Sequence, residues 1–230
     1  MGRRVVTNKT VLGLSTGEKV IIAIIPPLLG ALLGWFVPTV ADWVIKIPFI
    51  PFEGVFKWVT TLESDWVSII AAILGVLAGV FFVLYAFSES LKIIITDEEV
   101  KLIIKGSVKI IHKEELSAIY MEGKHVVFLT TDGTELFRGQ PESKKELISE
   151  AFRQHRYPWR EKDPFENQYQ RWVTDHPDFP PHVNALLYAR ERALKNEETD
   201  EAKVLRKDLA NLGVVIRDED HRQYVRVVER

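Results

Sequence analysis

The chain has 230 residues, with 30 Lys and Arg against 32 Asp and Glu, a net charge of −2 and a mean hydropathy of −0.01. This balance excludes a strongly basic nucleic-acid binder, an acidic disordered chain and a low-complexity fibre. Cysteine is absent, which excludes disulfides, thiolate chemistry and cysteine-ligated zinc or iron–sulfur sites.

The averages conceal an uneven distribution. After an N-terminal flank over residues 1–19, a charge-free stretch runs from Val20 to Ala41, and a second from Trp66 to Ser88. At 1.5 Å per residue these reach about 33 and 34 Å, enough for a hydrocarbon core of about 30 Å. Core helices of soluble folds keep a polar stripe, and these stretches have almost none. Residues 20–88 therefore read as a two-span transmembrane hairpin. Trp35, Trp43, Trp58 and Trp66 form an aromatic belt around the loop from Asp42 to Asp65, whose Ile47, Phe49, Ile50 and Phe52 suit the interface.

Basic residues flank the pair on one side: Arg3, Arg4, Lys9 and Lys19 before it, and Lys92, Lys101, Lys105 and Lys109 after it. The positive-inside rule then makes this a multi-pass protein of the cell membrane with both termini in the cytoplasm. Pro26 and Pro27 are expected to break or kink the first helix. Gly30 and Gly34 in one span and Gly75 and Gly79 in the other form GxxxG patterns, which suit helix packing in the hairpin or in a homo-oligomer. Neither span contains Asp, Glu, Lys, Arg or His, so an anchor is expected rather than a channel or transporter.

From Leu91 the pattern changes to short β-branched runs. Strands are expected at Leu91–Thr96, Val100–Lys105, Val108–His112, Ala118–Met121, Val126–Thr131 and Thr134–Arg138. Asp132-Gly133 gives the strongest turn signal. A helix over Ser143–His155 presents Leu147, Ile148, Ala151 and Phe152 on one face. Residues 89–156 thus read as an antiparallel β roll closed by one helix. The segments ITDEEVKLI (95–103), KEELSAIYME (113–122) and HVVFLTTDGTELF (125–137) give this region a pattern that resembles bacterial pleckstrin-homology-like (PH-like) domains. The whole arrangement resembles the YqeB-type bacterial membrane proteins. Phosphoinositide binding is not carried over, because residues 89–160 hold 12 Lys and Arg against 12 Asp and Glu without a basic cluster. Lys101, Lys105 and Lys109 read as a solvated strand face.

Residues 157–181 form a Pro- and aromatic-rich linker. Phe165, Tyr169, Trp172 and Val173 at i, i+4, i+7 and i+8 predict a short helix within it. Residues 182–230 follow as a small helical domain. One helix starts near Pro181, a second is capped by Thr199 and stopped by Gly213, and a hairpin closes around Asp218–His221.

LLYARERA (186–193) and AKVLRKDLANLGVVIRD (202–218), with Arg226, resemble the C-terminal anticodon-binding region of cysteinyl-tRNA synthetases. The matching positions are Leu186, Leu187, Arg190, Ala193, Ala202, Arg206, Leu209, Gly213, Val214, Val215, Asp218 and Arg226. Lys203, Leu194, Arg222 and Val225 depart from that pattern. The catalytic domain of those enzymes is missing, so aminoacylation is excluded. The tail holds 10 Lys and Arg against 10 Asp and Glu, which gives phosphate no net attraction. Arg206, Lys207, Arg217 and Arg222 are the candidates for a local RNA-binding cluster.

No catalytic constellation stands out. His112, His125 and His155 are scattered, and the one dense group, Asp175, His176, Asp178 and His182, sits in a Pro-rich loop unsuited to a metal. No nucleophile elbow or phosphate loop occurs. The sequence predicts a membrane α-helical hairpin plus an α+β cytoplasmic part, with no enzyme activity, catalytic residue, metal or cofactor. The function expected is a membrane-anchored adaptor or scaffold for a protein partner. A membrane-tethered RNA or tRNA binder is the alternative, and a lipid-sensing β domain ranks third.

Overall fold

The computed structural model describes residues 9–44, 64–219 and 222–228. Arg3, Arg4, the loop segment around Ile47–Phe52, Trp58 and the tip of the last hairpin lie outside the described residues. The chain divides into two compact units. One is Gly13–Ser90 with Ile104–Ser107; the other holds Met1–Leu12, Leu91–Ile103 and Val108–Arg230.

In the first unit, helix α1 spans Thr16–Trp35, a short α2 spans Val37–Val44 and α3 spans Ser64–Glu89. Ser15 caps α1 in a capping box: its hydroxyl accepts from the Glu18 N–H at 3.2 Å, and its own N–H donates to the Glu18 carboxylate at 2.7 Å. The prolines do not break the helix: α1 continues through Pro26 and Pro27 and gives way at Phe36. Prolines are tolerated inside apolar helices that pack closely on a neighbour, and here α3 approaches at that level, since a Cβ on Gly79 would lie 2.5 Å from Pro27 Cα. Thr16–Trp35 and Trp66–Glu89 are long and apolar enough to cross a membrane. Their flanks carry large exposed side chains, among them Leu33 at 69% and Phe81 at 73%.

The second unit begins before α1. Thr10–Leu12, assigned to the N-terminal flank from sequence, is strand β1, and it pairs antiparallel with β2 (Lys92–Ile95), placing Val11 opposite Ile94. β3 (Glu99–Ile104) and β4 (Ser107–His112) complete a sheet of order β1-β2-β3-β4. β5 (Leu116–Glu122), β6 (His125–Thr130) and β7 (Glu135–Gly139) form a second antiparallel sheet. Helix α4 (Lys145–Gln154) buries Ile148, Ala151 and Phe152, and the Phe152 ring meets Phe128 edge to face at 5.5 Å. Inner residues Ile93, Ile95, Val100, Leu102 and Ile111 are at most 1% exposed. His155 ties β1 into this roll: its Nδ1 lies 2.6 Å from the Asp97 carboxylate and its Nε2 2.8 Å from the Thr10 hydroxyl.

The helix expected around Phe165–Val173 is replaced by a 3₁₀ turn at Glu166–Gln168 and a two-residue strand β8 (Gln170–Arg171). The four apolar residues do not share one face. Phe165 packs on the β5–β6 core, whereas Trp172 enters the C-terminal core and donates its indole N–H to Asn184 at 2.9 Å. Helix α5 (Pro181–Lys195) and helix α6 (Thr199–Asn211) pack on a sheet of order β8-β10-β9, with β9 at Val214–Glu219 and β10 at Arg222–Val227. Thr199 opens α6 but makes no cap, since Glu198 occupies the N-cap position. Gly213 takes φ +77°, the left-handed conformation that ends the helix.

Candidate functional site

Arg206, Lys207, Arg217 and Arg222 were the sequence's best candidates for contacting a ligand, and the structure gives two of them, Arg206 and Arg217, partners inside the protein. Arg190 projects from α5 into the C-terminal module and is 3% exposed. Its guanidinium grips Asp218 of β9 in a bidentate pair, at 2.8 and 2.7 Å, and donates to the Gln223 amide oxygen at 2.7 Å. Gln223 in turn donates to the Leu187 carbonyl at 3.0 Å, closing the network onto α5. Burial pushes the Asp218 carboxyl up, but the Arg190 hydrogen bonds and the Arg206 charge outweigh it and hold the group below its ordinary value.

A second network runs along the β5–β7 sheet. Glu135, 8% exposed, accepts from Arg138 Nε at 2.9 Å and from Arg206 Nη1 at 3.3 Å. Arg138 also pairs with Glu122, whose other oxygen lies 3.4 Å from Arg217 Nε. Arg206 donates further to Asp218 at 2.6 Å and to the Ile216 carbonyl at 2.7 Å, while Arg217 reaches Glu219 at 2.7 Å and Glu166 at 3.4 Å. Desolvation opposes the charge on Arg138, yet Glu135 and Glu122 outweigh it and raise its pKa. For Arg206 burial wins, and its pKa is lowered despite Glu135.

Arg226 of β10 is the central link. It is 4% exposed and donates through Nη2 to the Gly133 carbonyl at 2.6 Å, in the Asp132-Gly133 turn. Its guanidinium lies 4.2 Å from the Phe165 ring centre and 5.6 Å from that of Tyr169. Asp163 holds this cluster by accepting from the Phe165 backbone N–H at 2.8 Å and from both the Tyr120 and Tyr169 hydroxyls at 2.9 Å; burial and then the Asp163 charge push both phenols up. Together these contacts fasten the C-terminal module to the β roll, and charged hydrogen bonds of this kind are the strong ones.

Of the four RNA-contact candidates, Arg206 and Arg217 lie in this network, while Lys207 and Arg222 are exposed. Sequence reasoning missed Glu122, Glu135 and Arg138. The available signal was Arg226, a charged residue between Val225 and Val227 in a short apolar strand segment, where the structure buries it. Gly30, Gly34, Gly75 and Gly79 lie along the seam of α1 and α3. A Cβ on Gly30 would come 2.6 Å from the Gly75 carbonyl carbon, and one on Gly34 2.7 Å from Ala72 Cα. Because Gly30 meets Gly75 while the later Gly34 meets the earlier Ala71, the helices run antiparallel. His176 and Asp178 form a local turn, with the Asp178 N–H donating to the His176 ring at 3.3 Å. Among the described residues, no three His, Asp or Glu gather as a metal-binding group.

The fold thus defines a PH-like roll interrupted by two apolar helices and latched to a small α/β module. Residues 10–160 match the family model of the YqeB-like bacterial PH domain, and residues 176–226 match that of the cysteinyl-tRNA ligase anticodon binding domain. The chain belongs to the YqeB-like bacterial PH domain family. It is 39% identical over 203 residues to a Bacillus subtilis (strain 168) protein described as "Uncharacterized protein YqeB", which covers 88% of this chain and 85% of the relative. No solved structure matches it.

Proposed function

We propose that this protein is a membrane-anchored cytoplasmic adaptor. The apolar helices cross the membrane as a hairpin, both termini face the cytoplasm, and the latched β roll and C-terminal module present a surface to a protein partner. The observation that carries this reading is the inward use of Arg206, Arg217 and Arg226. Arg206, Arg217 and Arg226 are engaged by Glu135, Glu122 and the Gly133 carbonyl, which leaves Lys207 and Arg222 as the exposed members of the four candidate phosphate contacts. The exposed apolar flanks of α1 and α3 support the anchor, because water-facing helices do not carry such surfaces. Affinity purification from detergent-solubilised membranes tests the adaptor role. Recovery of a stoichiometric protein partner is expected; its repeated absence overturns it.

The RNA reading keeps one support, the match of residues 176–226 to an anticodon binding domain, with Lys207 and Arg222 exposed. It requires RNA crosslinks that fall in the double variant Lys207→Glu, Arg222→Glu. An unchanged yield removes it.

A further inference from the structure

The four-stranded sheet has one face packed inside the roll and one face facing out. Leu12, Ile93, Ile95, Val100, Leu102 and Ile111 take the inner face, all at most 7% exposed. Alternation then puts Val11, Ile94, Lys101, Ile103, Val108 and Ile110 on the outer one. The register agrees, with Val11 opposite Ile94, Ile94 opposite Lys101, and Lys92 opposite Ile103. Val11, Val108 and Ile110 are 52%, 57% and 48% exposed, and the last two lie on the edge strand β4. An apolar face ending in an uncovered apolar edge strand is a surface that proteins normally cover.

Chain connectivity joins this sheet directly to both apolar helices. Leu12 stands three residues before the cap Ser15 of one apolar helix, and Lys92 three residues after Glu89, the end of the other. The β3–β4 turn is tied to that same helix end: the Lys105 N–H donates to the Ser88 carbonyl at 2.8 Å and Lys105 Nζ pairs with Glu89 at 2.8 Å. Val108 is three residues on, within about 10 Å of Lys105 at full chain extension. Charge plays little part on this face: Lys92 is exposed, while the carboxylate of Glu99 is paired to Lys101 at 2.9 Å.

We infer that the outer face of this sheet, through Val11, Val108 and Ile110, rests on the lipid surface of the cytoplasmic leaflet. The contact is apolar and interfacial, at the depth of the headgroup and acyl boundary, and needs no specific headgroup. It holds the roll and its latched C-terminal module against the bilayer. This rests on the membrane-anchor reading, and the test separates the two.

The chain has no cysteine, so single-cysteine variants of the full-length protein are direct probes. Val11→Cys, Val108→Cys and Ile110→Cys are labelled with an environment-sensitive fluorophore. The protein is reconstituted in phosphatidylcholine–phosphatidylglycerol vesicles carrying brominated lipids. Phe81→Cys on α3 reports the anchor, and Val204→Cys, an exposed position on α6, reports water. The three sheet positions are expected to be quenched within a factor of about two of Phe81, as an interfacial depth requires, with Val204 unquenched. Sheet labels that behave like Val204 while Phe81 is quenched overturn the sheet contact and leave the anchor standing. An unquenched Phe81 overturns both. Label–label coupling between molecules without lipid quenching overturns the proposal in favour of a second copy of the chain on this face.

Discussion

Replacing Arg226 with Ala removes the central fastening between the β roll and the C-terminal module. The side chain is 4% exposed, so its interactions are little screened by water. A hydrogen bond from a charged donor to the Gly133 carbonyl contributes about 1.5–3 kcal/mol, and its loss leaves a backbone acceptor without its partner. The stacking over Phe165 at 4.2 Å adds about 1 kcal/mol. Part of this is recovered, because Arg226 Nε makes no hydrogen bond and is relieved of its burial on truncation. A net loss of about 3 kcal/mol raises the population of the undocked state by about two orders of magnitude. Amide hydrogen exchange on the full chain in nanodiscs reads this directly. Exchange is expected to accelerate by about a hundredfold at residues 132–134 and 163–169, with α4 unchanged. Unaltered protection at both segments would show that the modules are held together by something other than Arg226.

Gly75→Val places a Cβ 2.5 Å from the Gly30 carbonyl carbon, against an ordinary separation of about 3.5–4.0 Å, so α1 and α3 must move apart by about 1 Å. Lower thermal stability in detergent is expected, with Gly17→Ala, at a position open to space, near wild type. Arg190→Ala removes the bidentate pair to Asp218, which keeps Arg206 at 2.6 Å, and leaves the Gln223 amide oxygen without its donor. A cost of about 1–3 kcal/mol to the C-terminal module is expected, seen as a lower unfolding midpoint in Trp172 fluorescence, and Arg190→Lys does not rescue it fully because it cannot make the bidentate pair. Asp218 is held below its ordinary carboxyl value, so its contribution is present above about pH 4 and is lost as pH falls through the depressed value. Acid titration of the C-terminal module by hydrogen exchange is expected to lose this dependence in Asp218→Asn.

Local patterns made most of the elements legible. The charge-free stretches gave both apolar helices, Asp132-Gly133 gave its turn, and Gly213 gave the end of α6. Strand β1 was invisible because Thr10–Leu12 is only three residues long and pairs with Ile93–Ile95, far along the chain. The missed break at Phe36 had a local signal in Pro38, which cannot continue α1 and suits the first turn of α2. Continuity through Pro26 and Pro27, by contrast, goes with close packing on α3, which periodicity in one segment does not report. Phe165 and Trp172 satisfied a helical spacing while serving two different cores. The inward partners of Arg206 and Arg217 were hidden for the same reason. Net charge in each module is balanced, but only tertiary structure shows that Arg206 and Arg217 of one module meet Glu135 and Glu122 of the other.

Crosslinking in intact cells, with mass spectrometry for protein adducts and sequencing for RNA adducts on the same membrane fraction, tests the adaptor reading most directly. The adaptor reading predicts a discrete protein adduct on the β roll or C-terminal module and RNA recovery at background. RNA adducts concentrated on residues 176–226, with no protein adduct above background, would contradict it.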